Sequence, residues 1–159
     1  VPDVINKLRF ACTLDIPDEF YLWNDDFFVL EPTQIPVAHR GTLENHIENR
    51  KINDGYSKHL KKTLEYLRSI GIKDPLSYEL HIPMLFNKQK LTDLLNDLVP
   101  RIEHSSPILP RSLYGNLYNI GGIQMDDVKT VDSFKGLKFL SSNEKTFAGK
   151  HGDYVKSLV

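Results

Sequence analysis

Two adjacent carboxylates, Asp25 and Asp26, follow an apolar run that ends at Trp23, and Asn24 directly precedes them. Carboxylate and amide oxygens are ligands that Mg²⁺ and Mn²⁺ use, particularly when the ion is shared with the phosphates of a ligand. In α/β proteins, ligands also bind beside strand ends. The residues therefore predict a divalent-metal site at Asp25 and Asp26. They predict equally well an Asx-turn that joins two strands of a hairpin, for which Asn and Asp are suited.

Two arginines and a histidine are candidates for binding an anionic substrate group. His39 and Arg40 precede Gly41 and a predicted helix start at Thr42, and Arg111 begins a short predicted helix. Arginine forks and helix N-termini both favour phosphate. Around His39 and Arg40, an ordinary solvated loop is the interpretation that the segment alone favours.

Glu79 and His81 alternate with apolar residues along an extended segment, so the two side chains should lie on one face. A carboxylate and an imidazole side by side can transfer protons or bind a metal ion. Glu79 and His81 are therefore the candidate catalytic residues. An exposed strand face is the simpler explanation of the same alternation.

The elements that must position these residues are predicted from periodicity, cap residues and turn residues. In chain order they are a helix over 3–13, two strand-like pieces flanking the acidic bend, helices within 42–70 separated near Gly55, an extended segment over 76–80, a helix capped by Asn87, a loop over 105–110, a short helix over 111–118, a strand at Phe139 and Leu140, and a final helix at Tyr154 and Val155.

Composition and charge disfavour several classes of protein. The 159 residues carry 20 basic and 21 acidic side chains, a net charge of -1, so no overall field attracts nucleic acid or an anionic membrane. No apolar run is long enough to span a membrane. The one cysteine, Cys12, cannot form an internal disulfide, which favours a reducing cytoplasm. We expect one soluble α/β domain over 1–159.

Several familiar catalytic motifs are missing from the sequence. It contains no phosphate-binding Gly-rich loop, nucleophile elbow, Cys-x-x-Cys pair or His-Glu-x-x-His motif, which disfavours the common NTPase, hydrolase and zinc-protein classes.

The segments 17–28, 36–41 and 79–84 together resemble phage-encoded and bacterial glycosyltransferase-like proteins. They are also similar to the Stealth family of hexose-1-phosphate transferases, whose motifs include an Asn-Asp-Asp after an apolar strand and a later His-x-Pro. The resemblance departs from that family at Leu85, where a second histidine would stand. The family's first apolar strand would lie before Val1, so the chain is expected to be the later part of a longer transferase.

The resemblance implies a GT-A-like, Rossmann-like mixed sheet with flanking helices. It implies metal-dependent transfer of a sugar or sugar phosphate from a nucleotide-sugar donor to a glycan or other hydroxyl acceptor. Asp25 and Asp26 would then hold Mg²⁺ or Mn²⁺, Asn24 would belong to the same donor-binding motif, and His81 would occupy the His-x-Pro position. The alternative is a non-catalytic binding or structural module, such as a phage accessory protein or a degenerate transferase fragment.

Overall fold

Helices contribute most of the regular structure in the computed structural model, which describes residues 2–50, 54–98, 108–129 and 131–158. The helices are α1 (Pro2–Thr13), α2 (Leu43–Asn49), α3 (Gly55–Ser69), α4 (Lys88–Leu98), α5 (Pro110–Leu117), α6 (Glu144–Phe147) and α7 (Lys150–Lys156). The strands are β1 (Glu19–Leu22), β2 (Phe27–Val29), β3 (Ala38–His39), β4 (Met84–Asn87), β5 (Ile123–Gln124) and β6 (Phe139–Ser141). No helix among these is long and apolar enough to cross a membrane.

The strands pair in three separate two-stranded sheets within the described residues. β1 and β4 are antiparallel, with Leu22 opposite Met84. β2 and β6 are also antiparallel, and β3 and β5 are parallel. The predicted mixed α/β class is therefore confirmed. A single GT-A-like sheet is not confirmed.

Side-chain caps fix the starts of three helices where the sequence predicted helix starts or breaks. Thr42 accepts a hydrogen bond from the Asn45 backbone N–H at the start of α2. Asp54 caps α3 directly before Gly55, where the break was predicted, and Asn87 accepts from the Lys90 N–H to cap α4. Each cap satisfies a backbone donor that the helix itself leaves unpaired. Within the predicted loop over 105–110, residues 105–107 lie outside the described residues, and Pro110 belongs to α5 rather than to a loop.

The extended segment predicted over 76–80 is not a strand, apart from an isolated bridge between Thr42 and Leu76. Its backbone finds other partners. Ser77 exchanges hydrogen bonds with the backbone of Arg40 and Gly41, and the Tyr78 N–H donates to the Ser112 hydroxyl. The regular strand comes later, in β4, and pairs with β1. At Tyr78, the Ser112 hydroxyl thus takes the place that the backbone carbonyl of a neighbouring strand would have in a sheet.

The predicted alternation of side chains in this segment is nevertheless confirmed. Tyr78, Leu80 and Ile82 are each only 2% exposed, whereas Glu79 and His81 between them are partly exposed. Tyr78 packs into the larger apolar core, between α3, α4 and α5, while Leu80 and Ile82 pack into a smaller core with Ala38. Burying such side chains contributes about 1.5–3 kcal/mol each, so two cores anchor the segment that carries Glu79 and His81.

Candidate active site

A cleft of about 520 Å³ opens where α1, the turn after β1, the start of α3 and the start of α5 meet the segment 79–81. Its polar lining comes from residues far apart in the chain: Asn24, Arg50, Asp54, Tyr56, Glu79, His81, Arg111 and Lys129. The volume is typical of small-molecule sites. Four predicted site residues, Asn24, Glu79, His81 and Arg111, are therefore brought together.

His81 is held in one orientation by Asp127. Its Nδ1 lies 2.9 and 2.8 Å from the two carboxylate oxygens of Asp127, and its backbone N–H also donates to Asp127. A carboxylate beside Nδ1 favours the tautomer that carries the proton there, which leaves Nε2 as the proton-accepting nitrogen. This is the geometry of a general base with an orienting partner.

Asp127 also binds Arg40, whose Nη1 lies 2.9 Å from Oδ2. Burial by itself would raise the pKa of Asp127, but the hydrogen bonds and charge of His81, together with the charge of Arg40, outweigh it and hold the pKa below its ordinary value. The carboxylate is therefore ionised at neutral pH. Arg40, which was predicted to bind substrate, contacts the partner of His81 and does not line the cleft.

Arg111 presents a partly unused cationic group to the cleft. Its Nη2 donates to the Ile82 carbonyl at 2.7 Å, while its buried Nε has no hydrogen-bond partner among the described residues. Burial lowers the pKa of the guanidinium, and the charge of Glu79 opposes that change. Arginine remains protonated in proteins, so this group can attract an anion into the cleft.

Arg50 and Tyr56 form a wall of the cleft that the sequence did not predict. The Arg50 guanidinium lies 4.8 Å from the centre of the Tyr56 ring and donates to both carboxylate oxygens of Asp54. Burial, followed by the charge of Glu79, raises the pKa of Tyr56, so its hydroxyl stays protonated. The pair therefore offers a fixed cation and a neutral phenol.

A buried histidine, His46, packs against this wall. Its Nδ1 lies 2.7 Å from the Ser77 hydroxyl, and its ring is tilted against that of Tyr56. Burial, aided by the charges of Arg40 and Arg50, lowers its pKa from 6.5 to about 4. His46 is thus neutral at pH 7 and adds no positive charge beside the two arginines.

The acidic bend is a turn, but it does not join a hairpin. The Phe27 N–H donates to the Asn24 carbonyl at 3.1 Å, and the chain then passes from β1 to β2, which belong to different sheets. Asp26 accepts from the Ser141 hydroxyl at 3.0 Å and lies 3.7 Å from the Lys129 ammonium. The hairpin alternative was wrong because each strand pairs with a distant one.

Asp25 and Asp26 line a second depression, of about 750 Å³, beside the cleft. Lys129 lines both. Within the described parts of the chain, no group of three or more His, Cys, Asp or Glu residues is arranged to hold a metal ion. Two carboxylates alone fit a hard cation such as Mg²⁺ only if water and ligand phosphate oxygens complete its coordination.

His39 is directed into the fold. Its Nδ1 accepts from the Gly41 N–H at 3.0 Å, and its ring meets that of Tyr78 edge to face. It does not line the cleft. The helix start predicted after it is confirmed at α2, with Thr42 rather than a ligand as the cap.

Sequence reasoning missed Asp127, Lys129, Arg50 and Tyr56. The segment Asp126-Asp127-Val128-Lys129 did carry a signal, since charged residues flank an apolar one that is 5% exposed. Asp127 is 46 residues from His81 in the chain, so no local pattern could indicate that the two side chains pair.

No protein-family model matches the chain, and no curated protein or solved structure matches it significantly.

Proposed function

We propose that the chain transfers a sugar or sugar phosphate from a nucleotide-sugar donor to a hydroxyl acceptor, with His81 as the general base. The observation that carries this proposal is the bond between His81 Nδ1 and Asp127 at the edge of a cleft that also contains Arg111. An oriented imidazole beside a cationic group supports proton removal next to an anionic ligand. The donor class comes from the resemblance of the Asn-Asp-Asp and His-x-Pro segments.

In the proposed reaction, Nε2 of His81 takes the acceptor's hydroxyl proton while the acceptor oxygen forms its new bond. If a sugar is transferred, the bond between its anomeric carbon and the donor phosphate breaks, and a nucleoside diphosphate leaves. If a sugar phosphate is transferred, the diphosphate bridge breaks and a nucleoside monophosphate leaves. Asp127 stabilises the imidazolium that forms, and Arg111 stabilises charge on the phosphate group.

The proposed reaction includes a divalent cation, bound at the acidic bend formed by Asp25 and Asp26. Asp25 and Asp26 would hold Mg²⁺ or Mn²⁺ together with donor phosphate oxygens, and the ion would neutralise diphosphate charge. Lys129, 3.7 Å from Asp26, places a second positive charge between the bend and the cleft. Asn24 lines the cleft directly before the bend and is the proposed donor contact there.

A GT-A-like architecture and a cytoplasmic location complete the proposal. The resemblance of the segments 17–28, 36–41 and 79–84 supports the first, and the single cysteine supports the second.

The alternative proposal is a binding module without catalysis. It is favoured by the partners of Asp26, because Ser141 and Lys129 already account for a carboxylate at this position. In that case, the cleft would bind an anionic ligand through Arg111 and leave it unchanged.

The two proposals are separated by product analysis of purified protein incubated with nucleotide sugars, Mn²⁺ and a set of glycan acceptors. We expect a nucleoside mono- or diphosphate to appear with an acceptor and only slowly without one. Asp127→Asn should lower turnover on the order of 10²–10⁴-fold, because an amide at this position can hold the wrong histidine tautomer.

The matched control is Asp93→Asn, the same change at an exposed residue of α4 that contacts Gln89. It should leave turnover unchanged. Binding of donor without any product would favour the binding module. Equal turnover in Asp127→Asn and the wild-type protein would refute the assigned base.

A further inference from the structure

The N-terminus of α5 is capped by a residue from another segment. Leu109 stands at the cap position and supplies no side-chain hydrogen bond, and Pro110 follows it. The Ser112 N–H instead donates to Glu79 Oε1 at 3.1 Å, and the Ser112 hydroxyl donates to the same oxygen at 2.9 Å. Glu79 therefore does for α5 what an N-cap side chain does within its own helix.

Arg111 lies in the turn that this cap holds, directly before Ser112. Its side chain is fixed at one point by the Ile82 carbonyl, and its buried Nε finds no hydrogen-bond acceptor in the part of the chain that the structure describes. A buried cationic donor without a partner is costly unless it serves a ligand or a nearby charge. Glu79 is such a charge, since it opposes the effect of burial on the pKa of Arg111.

We infer that Glu79 is a positioning residue for Arg111 and not the proton acceptor. Its Oε1 already receives two hydrogen bonds from Ser112, and these bonds tie the first turn of α5 to the segment that carries His81. Loss of the cap would free that turn and shift the guanidinium within the cleft. This inference rests on the proposed function only in treating Arg111 as the group that binds the ligand's anion.

Two variants separate positioning from simple electrostatics. Glu79→Gln and Glu79→Ala both remove the negative charge, but only glutamine keeps a carbonyl oxygen that can accept from Ser112. Calorimetric titration with pyrophosphate should give a Kd for Glu79→Gln about threefold lower than that of the wild-type protein, because a repelling charge has gone. Glu79→Ala should bind about tenfold more weakly than Glu79→Gln, because the arginine is no longer held.

A second measurement needs no ligand. The Nε–H resonance of Arg111 in a ¹⁵N-labelled sample, assigned by its loss in Arg111→Lys, should exchange slowly with solvent in the wild-type protein and in Glu79→Gln. It should broaden or exchange rapidly in Glu79→Ala. The control is Thr42→Ala, which removes the cap of α2 outside the cleft. It should lower thermal stability while leaving both the resonance and the pyrophosphate Kd unchanged.

Equal pyrophosphate binding by Glu79→Gln and Glu79→Ala, with an unchanged Arg111 resonance in both, would overturn the inference. The inference would also be overturned if Glu79→Gln removed an ionisation step from the pH dependence of turnover. A positioning residue does not transfer the proton, so its replacement should leave that step in the profile. If the wild-type protein binds no pyrophosphate, the anion-binding part of the proposed function fails, while the resonance still decides the role of Glu79.

Discussion

Replacing His46 with asparagine should make the protein less sensitive to mild acid. The free energy of unfolding should fall less between about pH 8 and pH 5 in His46→Asn than in the wild-type protein. His46 is 5% exposed, its Nδ1 contacts Ser77, and its Nε2 is buried without a hydrogen-bond partner among the described residues. Burial and the charges of Arg40 and Arg50 lower its pKa from 6.5 to about 4, against an opposing effect of Asp127. Protonation would place a third positive charge beside the two arginines.

The sign and size of the effect follow from linkage. Between pH 6.5 and about 4, the unfolded chain binds a proton at this histidine and the folded protein does not. The stabilising contribution is therefore fully present above the unfolded pKa and is lost as the pH falls toward the folded one. At 1.36 kcal/mol per pKa unit, the whole contribution is about 3 kcal/mol, and about 2 kcal/mol is lost by roughly pH 5.

Urea unfolding at about pH 8 and pH 5 measures this loss as a change in the free energy of unfolding. The wild-type protein should lose about 2 kcal/mol more than His46→Asn, whose amide can still bind the Ser77 hydroxyl but does not titrate. His59→Asn is the control, because His59 is partly exposed on α3 and its pKa is also lowered by burial. It should keep most of the wild-type dependence. The reasoning fails if His46→Asn and the wild-type protein lose stability in parallel.

Two further predictions concern packing and the acidic bend. Gly115→Ala should destabilise the fold by about 1–3 kcal/mol in urea unfolding, because the added Cβ would lie 2.3 Å from the Tyr78 ring. Gly55→Ala, where no atom of the described residues lies within 4 Å of the added Cβ, should not destabilise it, and equal losses in the two variants would contradict this account. Asp25→Asn should weaken Mn²⁺ binding in the presence of UDP on the order of tenfold, as measured by calorimetry, while Asp93→Asn should not. Unchanged Mn²⁺ affinity in Asp25→Asn would remove the metal from the proposed reaction.

Local signals in the sequence predicted the helices well. The caps at Thr42 and Asn87, the break at Gly55 and the alternation around His81 each depend on neighbours within a few residues. Such patterns report the backbone preference and the buried face directly. The residues Asn24, Glu79, His81 and Arg111 were therefore proposed individually, and the structure places them around one cleft.

Strand pairing and the partners of the site residues could not be predicted in the same way. The bend at Asp25 was compatible with a hairpin, yet Leu22 pairs with Met84 and Phe27 with Ser141. No single-sequence pattern specifies which distant strand completes a pair, because the choice depends on tertiary packing. Asp127 was missed for the same reason.

The burial of the carboxylates indicates that Asp127, rather than Asp25 or Asp26, holds the side chains of this site in place. Its side chain is 14% exposed and is shared by Arg40 and His81, which are 29% and 28% exposed. Asp26 is 29% exposed, and its partner Lys129 is 36% exposed. Removing Asp127 leaves Arg40 without its counter-charge and His81 without its orienting partner. Removing Asp26 leaves an ammonium that water can solvate and the Ser141 hydroxyl without its acceptor. Loss of Asp127 should therefore disturb the cleft even without a ligand, while loss of Asp26 should cost the bond to Ser141 and have its larger effect when a ligand and its cation bind.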